Sequence, residues 1–565
     1  MDRTPHVAYF CMEFGLHESF PIYAGGLGVL AGDFVKSARD LNLPVVAVGL
    51  RWERGYGAQR IGPDGLPYEE FPSYDHGFLR ETGVRVRVRV RGVEVHCTVW
   101  MTDRFGSVPL FLIEPFRAQD RWITHRLYEA GTDVRLAQEM LLGIGGVRAL
   151  NWLGIPIATY HFNEGHAVFA GVELIAERME TGLSFPEAWA QTRRKIVFTT
   201  HTPVKEGNEE HSLKDLRRMG ACLQLSGAEM REIGGDPFNM TVAGLRLARA
   251  ANAVSLLHGR TSQAMWAHVS NAAPIVSITN GVHVPTWQAP SIRAAQDDPE
   301  RLWAAHLKLK HELIAELERR NQVQMDPEAL FIGFARRAAG YKRSDFILRD
   351  EPRLQRLLDR GAVILFSGKA HPDDRLGKAI VGRMIRAQQQ HPGRVLFVEN
   401  YDMGVARLLT RGCDVWLNNP IRPLEASGTS GMKAALNGLL NLSVLDGWWP
   451  EGCEHGVNGW AIGDHDSGDD ERDLKALHEV IDREVLPAWA DRARWTAMMK
   501  ASIAMATERF SADRMVREYF ETLYLPGAPE LASGSPGLTP GGASGVAGGP
   551  SQDRGSSLTP TASRA

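Results

Sequence analysis

Short apolar runs of strand length alternate with longer amphipathic stretches along most of this chain. The first series of runs occupies residues 7–12, 44–49, 157–161 and 195–200. A second series occupies residues 330–335, 362–367, 395–398 and 415–417. Such alternation is typical of α/β folds, because each helix returns the chain for another parallel strand. The sequence therefore predicts an α/β fold with two Rossmann-like domains that face each other across a cleft.

The length of the chain, 565 residues, exceeds what a single hydrophobic core normally holds. We expect a first Rossmann-like domain at residues 1–290 and a second at 291–485, joined by a charged, helix-rich connector near 290–325. Residues 486–525 are predicted to form helices that pack back on the first domain. Residues 526–565 consist largely of Gly, Ser, Pro, Thr and Ala. Since that composition buries little apolar surface, this tail is predicted to be disordered.

The charge balance excludes two broad classes of partner. Lys and Arg number 64 against 67 Asp and Glu, which gives a formal net charge of −3. The chain therefore has no excess of positive charge with which to bind nucleic acid or an anionic membrane. No apolar run approaches the length of a membrane span, and no secretory leader pattern begins the chain. The five cysteines are scattered without a CxxC pair, which is typical of reduced thiols. We therefore expect a cytoplasmic protein that recognises its substrate locally; whether it forms a homo-oligomer stays open.

Residues 84–91 alternate strictly between valine and arginine. A period of two predicts a half-exposed antiparallel strand. The arginines could bind a polyanion, but we favour a solvated strand face.

Residues 425–433, Glu-Ala-Ser-Gly-Thr-Ser-Gly-Met-Lys, carry the most specific chemistry. Small and hydroxyl residues lead into a helix-like segment, so backbone N–H groups and a helix N-terminus can converge on one anion. Lys433 closes this phosphate cradle with an amine, the group that condenses with carbonyl compounds. Pyridoxal 5'-phosphate carries both an aldehyde, which the lysine amine could bind, and a phosphate, which the cradle could bind. An ordinary sugar-phosphate loop is the alternative.

A glycine-rich turn follows the first predicted strand and precedes a helix-like segment. Gly25, Gly26 and Gly28 allow the backbone to approach an anion closely. The dinucleotide fingerprint GxGxxG is absent, and the turn could equally serve a dinucleotide or tight packing.

A basic pair follows the strand that opens the second domain. Arg337 and Lys342 lie just after residues 330–335, at the strand end that faces the ligand crevice in parallel sheets. Together they could clamp a doubly charged phosphate. The alternative is a solvated charged loop.

The segment 425–433 resembles the cofactor segment of the α-glucan (glycogen, starch, maltodextrin) phosphorylases, in which the closing lysine carries pyridoxal phosphate. The Gly-Gly-Leu-Gly turn is shared by these phosphorylases and by nucleotide-sugar glucan synthases, both two-domain enzymes of the GT-B type. The resemblance runs from about residue 7 to residue 525. We expect the compact bacterial type, because the long regulatory extension of the animal and plant enzymes does not precede the first strand.

The resemblance implies roles for individual residues. The catalytic set is Lys433, Arg337, Lys342, His201 and Glu425. The cofactor set is Lys433, Ser427, Gly428, Thr429, Ser430, Tyr401, Arg336 and Lys369. The substrate set is Gly25, Gly26, Leu27, Asn280, Glu425, Ser427, Arg337 and Lys342. His161, Glu164 and His166 imitate a metal site, but the corresponding family stretch is a metal-free wall, so no metal is predicted. Two departures, Ala339-Gly340 and a short gate loop at 127–131, leave the finer contacts of those loops open.

These residues imply an α-1,4-glucan phosphorylase acting on glycogen or maltodextrin. Orthophosphate would cleave the non-reducing-end glucosyl unit with retention and release α-D-glucose 1-phosphate. Because no carboxylate pair at glycosidase spacing is identifiable, the substrate phosphate must act as the acid, assisted by the cofactor phosphate. Three alternatives remain: a nucleotide-sugar glucosyltransferase, a non-catalytic glucan-binding relative and, more remotely, a pyridoxal transaminase.

Overall fold

The computed structural model describes residues 6–74, 76–204, 207–464 and 468–525. The predicted disordered tail at 526–565 lies outside the described residues. The strands are β1 His6–Phe10, β2 Val45–Leu50, β3 Ala58–Ile61, β4 Pro67–Glu70, β5 Arg80–Val90, β6 Val93–Thr102, β7 Leu110–Pro115, β8 Ile157–Asn163, β9 Ile196–Thr199, β10 Glu210–His211, β11 Phe238–Asn239, β12 Ala250–Ala253, β13 Ile275–Ser277, β14 Phe331–Ala335, β15 Val363–Ser367, β16 Val395–Val398, β17 Val415–Asn418, β18 Leu440–Val444 and β19 Gly459–Ile462.

The α-helices lie between and after these strands. They are α1 Gly26–Asp40, α2 Thr132–Met140, α3 Gly146–Trp152, α4 Phe169–Glu180, α5 Phe185–Arg193, α6 Leu213–Met219, α7 Gly227–Gly234, α8 Met240–Leu247, α9 Leu256–Trp266, α10 Val284–Trp287, α11 Pro290–Ala295, α12 Pro299–Asn321, α13 Glu351–Asp359, α14 Arg375–Gln390, α15 Met403–Gly412, α16 Ser430–Ala435, α17 Trp449–Gly452, α18 Asp470–Val480, α19 Leu486–Ala490, α20 Arg492–Arg509 and α21 Ala512–Tyr519.

Two large sheets confirm the predicted α/β class. The first has nine strands in the order β13-β12-β9-β8-β1-β2-β7-β6-β5, and the second has six in the order β16-β15-β14-β17-β18-β19. The second sheet is parallel throughout, whereas the first is parallel except for β5 and β6 at one edge. Central strands such as β1, β2 and β14 are apolar and almost wholly buried, because helices cover both faces of a parallel sheet.

The antiparallel edge confirms the prediction for residues 84–91. β5 pairs with β6, and along it Val86, Val88 and Val90 are buried while the intervening arginines are exposed. The alternation therefore gives one packed face and one solvated face.

The connector between the two sheets is dominated by the long helix α12. Asp298 caps its start by accepting hydrogen bonds from the amides of Glu300 and Arg301, and Pro299 occupies the first turn. Leu302, Leu309, Leu313 and Leu317 recur at helical spacing and are buried.

An apolar cluster joins the two halves behind the cleft. It includes Val29 and Trp287 from the first half and Met403, Leu436 and Trp448 from the second. The helix α20 packs on α12 and α16, and α21 then packs on α1 in the first half. The backbone of Ala512 donates to Val282 O at 2.9 Å at that return. The domain boundaries given above stay predictions.

Candidate functional site

A cavity of about 870 Å³ is lined by residues from both halves of the molecule, the half with the first sheet and the half with the second. Its wall contains every site residue predicted from the sequence: Gly25, Gly26, Leu27, His201, Asn280, Arg336, Arg337, Lys342, Lys369, Tyr401, Glu425, Ser427, Gly428, Thr429, Ser430 and Lys433. The carboxyl ends of β1, β9, β14 and β17 supply the loops that carry most of them. Their individual roles stay predictions.

Lys433 lies in the short helix α16, which begins at Ser430. Its side chain is buried, and Nζ lies 4.0 Å from the centre of the Trp287 ring. Burial lowers the pKa of Lys433 to about 8, and the negative charge of Asp33 opposes that change. A lysine with this pKa is partly unprotonated near neutral pH, the form that attacks a carbonyl carbon.

The loop before Lys433 has the features of an anion cradle. Gly428 has φ +83°, a backbone conformation that glycine adopts without strain. The Ser427 hydroxyl is buried and has no hydrogen-bond partner among the described residues. The Ser430 hydroxyl accepts a bond from Trp416 Nε1 at 3.2 Å and retains its own proton to donate. The free hydroxyl and the nearby amine fit a ligand that carries both a phosphate and a carbonyl group.

Three cations gather beside this loop, and two of them share one carboxylate. Glu425 Oε2 lies 2.7 Å from both the Arg336 guanidinium and Lys342 Nζ, and all three side chains are buried. Burial would raise the pKa of Glu425, but the two cations outweigh it and the pKa is lowered. Arg337 is exposed to the cavity without an ion-pair partner among the described residues. The excess positive charge suits a doubly charged anion.

Two other polar groups stand around the cavity. Lys369 Nζ donates to Gly57 O at 3.1 Å, and burial lowers its pKa to about 8 against the opposing charge of Asp402. Burial raises the pKa of Tyr401 to about 12, with Arg336 opposing, so this phenol stays neutral.

The glycine turn presents amides to the cavity at the start of α1. A Cβ added at Gly25 or Gly26 would meet no atom within 4 Å, whereas one at Gly28 would lie 2.5 Å from Glu13 Oε2. Gly28 is therefore required by packing. The Gly25 amide already donates to Glu13 Oε2 at 3.1 Å, so only the amides of Gly26 and Leu27 lie at the helix start without that partner.

His201 and Asn280 contribute uncharged polar groups to the cavity wall. His201 Nε2 lies 2.7 Å from Asn163 Oδ1, and the amide nitrogen of Asn163 donates to Cys11 Sγ at 3.2 Å. The imidazole therefore donates through Nε2 and leaves Nδ1 as an acceptor. Burial lowers the pKa of His201 to about 3, so the ring stays neutral. Asn280 Oδ1 is buried without a partner among the described residues. Such groups suit neutral sugar hydroxyls.

Sequence reasoning missed Glu13, which organises the turn from the end of β1. Its Oε2 accepts the amides of Ala24 and Gly25, and its Oε1 accepts the Tyr128 hydroxyl at 2.7 Å. Tyr128 belongs to the altered gate loop and has φ +58°. A charged residue directly after a buried strand was the available signal for Glu13.

A second missed pair, Asp33 and Trp287, lies behind Lys433. Both Asp33 oxygens lie 2.9 Å from the indole nitrogen of Trp287. Neither residue stands in a motif that sequence alone singles out.

Two of the three residues that could be mistaken for a metal site, His161 and Glu164, make other contacts in the structure. His161 hydrogen-bonds Tyr524 and Thr199 inside the core, and Glu164 accepts the amide of Gly165. Elsewhere Glu139, Glu209 and His211 lie close together. Arg135 already donates to both Glu209 oxygens at 3.0 and 2.9 Å and supplies the positive charge there.

Comparison with known proteins gives consistent similarities. The sequence profile of the carbohydrate phosphorylase family matches residues 290–451. A maltodextrin phosphorylase of Thermococcus litoralis is 42% identical over 92% of this chain and 70% of its own length. A glycogen phosphorylase of Mycobacterium tuberculosis is 40% identical over 92% of this chain and 71% of its own. A glycogen phosphorylase of Aquifex aeolicus is 35% identical over 92% of this chain and 86% of its own length. Among the described residues, no helix combines the length and apolarity of a membrane span.

Proposed function

Since the chain belongs to the carbohydrate phosphorylase family, we propose that it cleaves the non-reducing-end α-1,4-linked glucosyl unit of glycogen or maltodextrin with orthophosphate. The expected product is α-D-glucose 1-phosphate, formed with retention. Glucan phosphorylase activity follows from the family. The observation that carries the finer proposal is the cavity in which Lys433, the partner-free Arg337 and the neutral His201 meet.

We propose pyridoxal 5'-phosphate as the cofactor. Lys433 would bind its aldehyde, and Ser427, Gly428, Thr429 and Ser430 would face its phosphate, while Arg336, Lys369 and Tyr401 would surround it. The unpartnered Ser427 hydroxyl and the amine of Lys433 fit such a group. When bound, it supplies an ionisable phosphate beside the reacting carbon.

Orthophosphate would be held by Arg337 and Lys342, with the amides of Gly26 and Leu27 opposite them. Lys342 shares Glu425 with Arg336, so the protein itself holds its charge in place. Charged groups held in a buried site need no reorganisation when the reaction begins, which is the main source of electrostatic catalysis.

The carboxylate in this cluster is a poor proton donor. The pKa of Glu425 is lowered by two cations, so it is ionised and can only accept hydrogen bonds from a sugar hydroxyl or a cation. His201 is neutral and would bind a hydroxyl of the glucosyl unit, as would Asn280. Orthophosphate itself would then donate the proton to the leaving glycosidic oxygen and attack the sugar carbon from the same face.

The test is the release of glucose 1-phosphate from maltodextrin and from glycogen, with and without orthophosphate. We expect release only with orthophosphate, and the anomer seen by proton NMR should be α. Arg337→Ala should lose orthophosphate affinity and rate, because losing one partner of the desolvated charge contact that bound phosphate would make costs about 2–5 kcal/mol. Arg386→Ala, which removes an exposed arginine of α14 outside the cavity, is the matched control.

Phosphate-independent transfer from a nucleotide sugar would overturn the proposal. So would an Arg337→Ala enzyme with wild-type kinetics.

A further inference from the structure

The indole ring of Trp287 covers one side of the Lys433 amine. Trp287 ends α10 and is fully buried, and Lys433 Nζ lies 4.0 Å from its ring centre. Asn437 Nδ2 donates to Trp287 O at 3.1 Å and to Lys433 O at 2.9 Å. One side-chain amide therefore links the backbone carbonyls of the two residues whose side chains are in contact.

Asp33 fixes the other edge of the same ring. Its side chain is 1% exposed, and both oxygens lie 2.9 Å from the indole nitrogen. A tryptophan N–H needs only one acceptor, so a full carboxylate at this place brings a charge as well as a hydrogen bond. Burial raises the pKa of Asp33, and Lys433, His283 and Lys36 oppose that change.

The other charged groups that face Asp33 have partners of their own. Lys36 Nζ donates to Leu16 O at 2.7 Å and to Thr286 Oγ1 at 3.1 Å. His283 Nε2 lies 2.8 Å from Asp40 Oδ2. Within the described residues Lys433 is the facing cation without such a partner, and Asp33 is the charged group that favours its protonated form.

We propose that Asp33 and Trp287 are positioning residues for Lys433, in which the buried carboxylate anchors the indole and the indole face directs the amine into the cavity and stabilises its positive charge. The inference rests on the proposed function, because it concerns the lysine that would bind the cofactor. Trp is the best cation–π partner among the aromatic side chains, and a carboxylate on its N–H adds negative charge to the same side.

The arrangement has a direct consequence for the condensation. If the cofactor binds as proposed, the lone pair of the unprotonated Lys433 amine would attack the aldehyde carbon. A C=N bond would replace the C=O bond, and the aldehyde oxygen would leave as water with the two hydrogens of the amine. Only the unprotonated amine reacts, so whatever stabilises the ammonium form slows the condensation below its pKa. Asp33 and Trp287 thus slow the binding of the cofactor near pH 7. In return they fix the direction of the Lys433 amine and stabilise its positive charge.

The experiment measures the rate at which cofactor-free, full-length protein forms the pyridoxal 5'-phosphate linkage, by absorbance, between pH 6 and 10. For the wild type we expect a midpoint near the Lys433 pKa of about 8. Asp33→Asn keeps an acceptor for the indole N–H but removes the charge. Its midpoint should fall by roughly one pH unit, and its rate at pH 7 should rise about fivefold.

Trp287→Phe should lower the midpoint as well. Asp33 then loses the indole N–H that donates to it, and a phenyl ring makes a weaker cation–π contact with the Lys433 amine. The midpoint of the double variant should be lower than that of Trp287→Phe alone, because Asp33→Asn also removes the charge that favours protonated Lys433. Asp40→Asn removes the same charge from the same helix, but its carboxylate faces His283, so its midpoint should stay at the wild-type value.

Unchanged midpoints in Asp33→Asn and Trp287→Phe, with only a lower melting temperature or plateau rate, would make both residues merely structural and refute the inference. Equal shifts in Asp33→Asn and Asp40→Asn would refute it too. If Asp33→Asn does not fold, Trp287→Phe decides alone. A wild type that forms no linkage at all refutes the cofactor assignment in the proposed function, which is a distinguishable failure.

Discussion

Replacing Glu425 by glutamine should show how the cations of the proposed phosphate site are held together. Its Oε2 lies 2.7 Å from both Arg336 and Lys342, and the three side chains are buried. Gln leaves two buried cations without a counter-charge, and removing one partner of a buried ion pair typically costs about 3–5 kcal/mol. A phosphate dianion can replace the missing carboxylate, so the variant should recover stability when orthophosphate is added.

The assay is thermal unfolding with orthophosphate titrated at constant ionic strength. In phosphate-free buffer we expect Glu425→Gln to melt several degrees below the wild type, and the gap should narrow as phosphate rises. Phosphorolysis should still be weakened, because the sugar contact proposed for Glu425 is lost. Glu316→Gln is the matched control, since Glu316 also contacts two arginines, Arg319 and Arg320, but on the surface of α12. Equal phosphate stabilisation of Glu425→Gln and wild type would refute this account of the site.

Three further outcomes are expected. Lys433→Ala should purify without the pyridoxal absorbance and without activity; stoichiometric cofactor in that variant would contradict the assignment of the linkage. Tyr128→Phe removes the hydroxyl that donates to Glu13 Oε1, and Glu13 holds the glycine turn, so the KM for orthophosphate should rise a few fold while kcat changes little. An unchanged KM would show that the gate loop does not influence phosphate binding at the glycine turn. Deleting residues 527–565, which contain few large apolar side chains, should leave activity and melting temperature nearly unchanged, and a loss of several degrees would show that this segment docks.

The sequence predicted what local patterns encode. Four of the six strands of the second sheet, β14 to β17, begin and end within one residue of the predicted apolar runs, because a buried parallel strand is a continuous apolar segment; β18 and β19 were not predicted. The residues assigned to the cavity also lie together, since glycine turns, hydroxyl loops and basic pairs after strands are readable as short motifs.

What the sequence did not predict depends on contacts between distant segments. Trp287 and Asp33 are 254 positions apart, and neither looks unusual in its own segment. Glu425 was assigned to catalysis and sugar binding, which stays a prediction, but its ion pair with Lys342, 83 residues away, was not foreseen. Gly25 was assigned to substrate binding, which also stays a prediction, but the hydrogen bond that its amide donates to Glu13 was not foreseen. Pairings of this kind are set by the tertiary packing of several loops at one sheet edge, which local propensity does not encode.

The central claim is that orthophosphate and a phosphate-bearing cofactor do the chemistry while the linkage at Lys433 serves only as an anchor. Borohydride reduction of that linkage to a secondary amine, followed by the phosphorolysis assay, tests it most directly. The reduced enzyme should keep a substantial fraction of its glucose 1-phosphate release, because reduction leaves every phosphate and every cation of the cavity in place. Complete inactivation on reduction, with the cofactor still attached at full occupancy, would contradict the account.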